Sequence, residues 1–120
     1  MSTDNRNNLE NIEIQSMLYD FYGALLNEGQ NEVMALYHED NLSLSEIAEE
    51  LGTSRQAVHY TLKKAERALN EYEARLGLVA EYHRHQELAD RARGIISGAA
   101  GAMSSGDREE LLTIVDKLSE

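Results

Sequence analysis

The sequence predicts an all-α protein built on a helix-turn-helix, and three observations carry that reading. Proline is absent from all 120 residues, so nothing interrupts a helix from within by removing a backbone donor. Apolar residues recur at intervals of three and four, and no stretch alternates with period two. Between Leu42 and Val58 the chain reads as a capped helix, a turn at Gly52 and the start of a second helix.

The elements follow in order. Residues 1–11 open with Asn5, Asn7 and Asn8 and read as a frayed polar tail. From about Ile12 a helix is predicted, with Ile14, Met17, Leu18, Phe21, Tyr22, Leu25 and Leu26 forming its apolar stripe. Asn27-Glu28-Gly29-Gln30 breaks that stripe and has the N-x-x-Q spacing of a capping box for a second helix. Val33, Leu36 and Tyr37 mark the inner face of this helix, which Asp40-Asn41 ends. The helical spacing of these aromatics indicates packing and not a ligand cage.

Ser43 and Glu46 form an S-x-x-E box at the start of the third helix, with Leu42 and Ile47 placed as a hydrophobic staple. Ile47, Ala48 and Leu51 give its buried face, and Gly52 supplies the tight turn. Thr53 or Ser54 caps the fourth helix, Thr53 with Gln56 in a T-x-x-Q box. Val58, Leu62, Ala65, Leu69, Tyr72, Leu76 and Val79 then hold an a/d seam over three heptads. Its distal part predicts packing on another helix, of this chain or of a second subunit. A homodimer joined through Leu62, Leu69, Tyr72, Leu76 and Val79 is the second of these expectations.

Gly77 favours a kink or a new helix start. Beyond it Leu78, Val79, Tyr82, Leu88, Ala89 and Ala92 continue a weaker amphipathic pattern. The small-residue run 94–106 reads as a helix end followed by a flexible connection, the alternative being close helix packing through Gly94 and Gly98. Residues 107–118 form a last helix with Leu111, Leu112, Val115 and Leu118 inward. The length suits a single helical domain, with a helix-turn-helix core over 12–76 and a C-terminal helical extension over 77–120.

Composition narrows the function. Without cysteine there is no disulfide, thiolate nucleophile or common zinc framework. No long apolar run or signal pattern appears in the sequence, so no membrane contact and a cytoplasmic location are expected. His38, His59, His83 and His85 include no pair at the i, i+4 spacing of helical metal ligands. No metal site, no cofactor, no catalytic residue and no enzymatic activity are expected. Carboxylate pairs such as Glu49-Glu50 read as solvated helix faces.

The net charge of −11 is wrong for a simple nucleic-acid binder, but it is unevenly spread. Residues 1–53 carry eleven acids against Arg6, a charge of −10, and residues 70–120 carry ten acids against six bases, a charge of −4. Between them, residues 54–69 carry Arg55, Lys63, Lys64 and Arg67 against Glu66 alone, a charge of +3. This window is the would-be recognition helix. Gln56, His59 and Lys63 fall within about a third of a turn of Arg55 at 3.6 residues per turn, opposite the apolar face. The candidate nucleic-acid contacts are Ser54, Arg55, Gln56, His59, Lys63, Lys64 and Arg67. Arg55 suits guanine and Gln56 adenine, while the lysines suit phosphates.

Glu46-Ile47-Ala48-Glu49-Glu50-Leu51-Gly52 with Ser54-Arg55-Gln56-Ala57-Val58 resembles the YlxM family of small bacterial proteins, whose helix-turn-helix is like the last DNA-binding region of sigma factors. The likeness extends upstream through Phe21-Tyr22-Gly23-Ala24-Leu25-Leu26 and Leu36-Tyr37, and downstream to Tyr72-Glu73 and Leu76, covering about residues 14–85. His59 stands where the family pattern has Tyr, and Thr53 where it has Val. Family genes commonly lie beside those of the signal recognition particle GTPases. The resemblance therefore implies a cytoplasmic regulatory or accessory protein of that targeting pathway, with signal recognition particle components and RNA or DNA as partners. A sequence-specific DNA-binding transcriptional regulator is the alternative.

Overall fold

The computed structural model describes the backbone of residues 2–120 and the side chains of residues 10–99 and 101–120. Six α-helices and no strand occur among the described residues: α1 Ser2–Tyr22, α2 Glu28–His38, α3 Leu44–Leu51, α4 Arg55–Leu76, α5 Leu78–Gly98 and α6 Ser105–Leu118. Short 3-10 turns at Gly23–Leu25 and Ala100–Ala102 follow α1 and α5. The all-α expectation is met. The chain divides at Gly77 into two compact units, where its length predicts one.

In the unit ending at Gly77, α4 packs against α1, α2 and α3. The core is Leu18, Tyr22, Leu26, Val33, Met34, Ile47, Ala48, Val58, Leu62, Ala65 and Leu69. Each fully buried branched side chain contributes about 1.5–3 kcal/mol relative to exposure. Two hydroxyls tie the far end of α4 to the end of α1: Tyr22 donates to Glu73 Oε1 at 2.5 Å, and Tyr72 donates to the Leu25 carbonyl at 3.2 Å.

The expected tail is helical from Ser2, Met1 lying outside the described residues. Once the apolar stripe holds a helix, each further residue adds a hydrogen bond, and no Gly or Pro precedes Gly23 to stop it. The predicted stripe is too broad. Ile14, Phe21 and Leu25 are exposed, while Leu18, Tyr22 and Leu26, spaced four apart, enter the core.

The caps form largely as the spacing predicts. Gln30 N–H donates to Asn27 Oδ1 at 2.8 Å and Asn27 N–H to Gln30 Oε1 at 3.4 Å, closing the box of α2. Glu46 N–H donates to Ser43 Oγ at 3.1 Å and Ser43 N–H to Glu46 Oε1 at 3.0 Å, closing that of α3. For α4 the cap is Ser54, whose Oγ accepts from Ala57 N–H at 3.0 Å.

The unit Leu78–Glu120 is a pair of helices, α5 against α6. Arg93 joins them through Asp116 at 2.8 Å while also bonding Asp90 at 3.0 Å, and Gln86 Nε2 donates to the Ser119 carbonyl at 2.7 Å. Its apolar core is small: Ala89 and Ile96 are buried, Leu112 and Val115 half-buried. Leu111 and Leu118, expected inward, are exposed, because two helices alone cannot cover both sides of an apolar stripe. Helix α5 runs through Gly94 to Gly98, with open space where a Cβ would stand on either glycine, so neither mediates close packing.

Candidate nucleic-acid interface

The site begins at the end of α3. Gly52 is left-handed, at φ 67° and ψ 38°. Thr53 N–H donates to the Ala48 carbonyl at 2.9 Å and Gly52 N–H to Glu49 at 3.3 Å, the two bonds of a Schellman ending. Three residues then separate α3 from α4, which fixes the direction in which α4 leaves the turn.

Helix α4 divides its circumference cleanly. Val58, Leu62, Ala65 and Leu69 are buried, whereas Ser54, Arg55, Gln56, His59, Lys63, Lys64 and Arg67 are all exposed. The structure thus gathers the seven candidate residues on the solvent side of one helix. Arg55 and Gln56 lie in its first turn, which contains no acidic residue, so the positive end of the helix dipole adds to Arg55. Lys63 pairs with Glu66 at 3.7 Å and stays half exposed.

Sequence reasoning missed Tyr60. It is 63% exposed, and Lys64 Nζ sits 5.3 Å from its ring centroid. An exposed ring beside a cation offers a stacking platform for a base. The signal was the Tyr60/Lys64 spacing of four, which lies off the apolar seam.

The dimer seam does not survive as drawn. Leu62 and Leu69 are buried in their own unit, and Tyr72 is bonded to Leu25 within it. Gly77, at φ 62°, ends α4, so Val79 belongs to α5 and the seam is cut before its last position. Of the five residues only Leu76 is exposed on α4. An unbroken 4-3 spacing measures periodicity, but not whether three neighbouring helices already cover it.

Beside α4 a cleft of about 290 Å³ opens between α1, α2, α3 and α4. Its floor carries Gln15, 6% exposed, and half-buried His38. His59 and Lys63 stand at its rim. Burial lowers the His38 pKa below its ordinary value, with Glu66 and Asp20 opposing. His38 is therefore neutral at neutral pH.

Cap, left-handed glycine, short turn and exposed second helix define a helix-turn-helix protein. The family described as "Putative helix-turn-helix protein, YlxM / p13 like", UPF0122, matches residues 9–98, and the chain belongs to it. A UPF0122 protein of Geobacillus kaustophilus is 41% identical over 112 residues, 93% of this chain and 97% of its own. One from Symbiobacterium thermophilum is 43% identical over 91 residues, covering 76% and 85% of the two chains. No helix among the described residues is long and apolar enough to cross a membrane.

Proposed function

We propose that this is a non-enzymatic, cytoplasmic accessory or regulatory protein of the signal recognition particle pathway that contacts nucleic acid through α4. The observation that carries the nucleic-acid part is the exposed basic face of α4 on an otherwise acidic chain. Lys63, Lys64 and Arg67 meet phosphates, while Arg55, Gln56 and Tyr60 face the bases. Three phosphate contacts give a dependence of log K on log salt with a slope of roughly −2 to −3 on duplex. The pathway rests on the resemblance to the YlxM family. The acidic remainder suits a basic protein partner while the helix holds the nucleic acid.

The test is binding of the purified protein to the particle's RNA, to its GTPase and to both together, over a salt series. Binding that weakens with salt and falls in Arg55→Ala and Lys63→Ala supports the reading. No binding to any of the three at low salt rejects it.

The second reading, a sequence-specific DNA regulator, is favoured by Arg55 and Gln56 standing in the first turn of α4, where a recognition helix meets base edges. It requires that Arg55→Ala and Gln56→Ala relax base preference while Lys63→Ala weakens all sequences alike. Selection from random duplexes that recovers no motif rejects it. A homodimer on either reading would use surface beyond the buried part of the seam, starting from Leu76. A monomer mass by light scattering at micromolar concentration rules it out.

A further inference from the structure

The cleft beside α4 contains polar atoms that the fold leaves unused. Among the described residues, Gln15 Oε1 and His38 Nε2 are buried without a hydrogen-bond partner. Leaving such a group unsatisfied costs about 1–3 kcal/mol, so each calls for a partner from outside the protein. Both residues line the same cleft, and Gln15 is more than nine-tenths buried.

The chemistry of the lining narrows the ligand. The two free atoms are an amide oxygen, which accepts, and a neutral imidazole nitrogen, which donates or accepts according to its tautomer. Together they match the mixed donor and acceptor edge of a heterocycle better than an ion. Tyr37, Ile12, Leu44 and Leu62 supply aromatic and aliphatic walls for a flat ring. Lys63, held no closer than 3.7 Å to Glu66, keeps its ammonium donors for an anion at the rim, beside His59. The volume of about 290 Å³ falls just under the roughly 300–1,000 Å³ of ligand pockets, which suits one ring system and nothing larger.

We propose that this cleft receives a single unpaired nucleobase, read on its polar edge by Gln15 and His38, with its phosphate at His59 and Lys63. The choice of a nucleobase rests on the nucleic-acid reading of α4, whose exposed face shares His59 and Lys63 with the rim. The base comes either from a bulged or unpaired position of a bound strand or from a free mononucleotide. A flat base in such a site gains both stacking and edge hydrogen bonds, the means by which unpaired nucleotides are recognised.

The experiment has two arms on the full-length chain. In one, AMP, GMP, CMP and UMP are titrated singly to millimolar concentration and amide shifts are mapped by NMR. In the other, affinity is measured for an RNA duplex with and without one bulged nucleotide. Saturable shifts centred on Gln15, His38 and His59 are expected, with at least fivefold tighter binding of the bulged duplex. Gln15→Leu and His38→Phe should abolish both effects. Ile12→Trp blocks the cleft from its exposed rim and keeps the test valid if either buried variant fails to fold.

Success in the nucleotide arm alone assigns a free nucleotide, and success in the bulge arm alone assigns a base within a strand; either supports the cleft. Failure of both arms overturns the proposal and leaves a hydrated cleft. Effects that survive all folded variants overturn it equally. Arg55→Ala with Gln56→Ala separates the two readings, weakening both duplexes alike while sparing the mononucleotides. If no duplex binds but mononucleotides do, the reading of α4 fails and the cleft stands.

Discussion

Gly23, buried at the end of α1, tests how the first helix is held. A Cβ built there would lie 2.8 and 2.9 Å from Cε1 and Cδ1 of the Tyr19 ring. The ring is not free to swing. Its hydroxyl donates to Asn31 Oδ1 at 2.6 Å, and Asn31 Nδ2 donates to the Gly23 carbonyl at 3.2 Å, closing a small circuit around the glycine. Gly23→Ala must therefore displace the ring, at about 1–3 kcal/mol for overpacking. Losing the hydroxyl bond adds a net penalty of about 0.5–1.5 kcal/mol. Gly23 has no positive φ, so the backbone accepts alanine, and the less flexible unfolded chain returns about 0.4–1 kcal/mol. The net loss is about 0.5–4 kcal/mol, centred near 2, a fall in Tm on the order of 10 °C for a unit of this size. Urea and thermal unfolding followed by circular dichroism measure it. In a Tyr19→Ala background the clash is gone and Gly23→Ala should become neutral or stabilising. An equal penalty in both backgrounds would refute the steric argument.

Gly52→Ala should destabilise by about 1 kcal/mol through its left-handed backbone alone, since nothing lies within 4 Å of the added methyl. Gly52→Asn should cost less, and the reverse order of urea midpoints would contradict this. His38 has a pKa lowered by folding, so the unfolded chain takes up its proton first. Its contribution is complete above the ordinary histidine pKa of about 6.5 and is lost as pH falls below it. Urea midpoints from pH 7.5 to 5.5 should therefore drop more steeply in the natural protein than in His38→Phe; parallel slopes would count against a neutral buried imidazole.

The helix-turn-helix was legible because its determinants are local. Ser43 and Glu46 lie three residues apart, Gly52 needs only its own backbone, and Ser54 caps a donor three residues on. The exposed face of α4 was legible too, because helical geometry alone places Arg55 and Gln56 away from Val58 and Leu62. What escaped the sequence depends on which neighbours arrive. Phe21 and Tyr22 both fit the apolar stripe, yet Phe21 is exposed while Tyr22 is buried and its hydroxyl finds Glu73 on α4. Leu62 and Leu69 keep a heptad spacing that fits a second subunit as well as α1 to α3. The cleft was wholly hidden, since Gln15, His38 and His59 come from three helices and share no spacing.

The bond between Tyr22 and Glu73 spans 51 residues of chain. At a synthesis rate of roughly 5–20 residues per second, α1 leaves the ribosome seconds before its partner exists. During that interval Leu18, Tyr22 and Leu26 have only α2 and then α3 to rest against. Helix α4 is thus the last piece needed to shelter the first one. Translation that stops before residue 73 releases a chain with an uncovered apolar stripe, a substrate for chaperones.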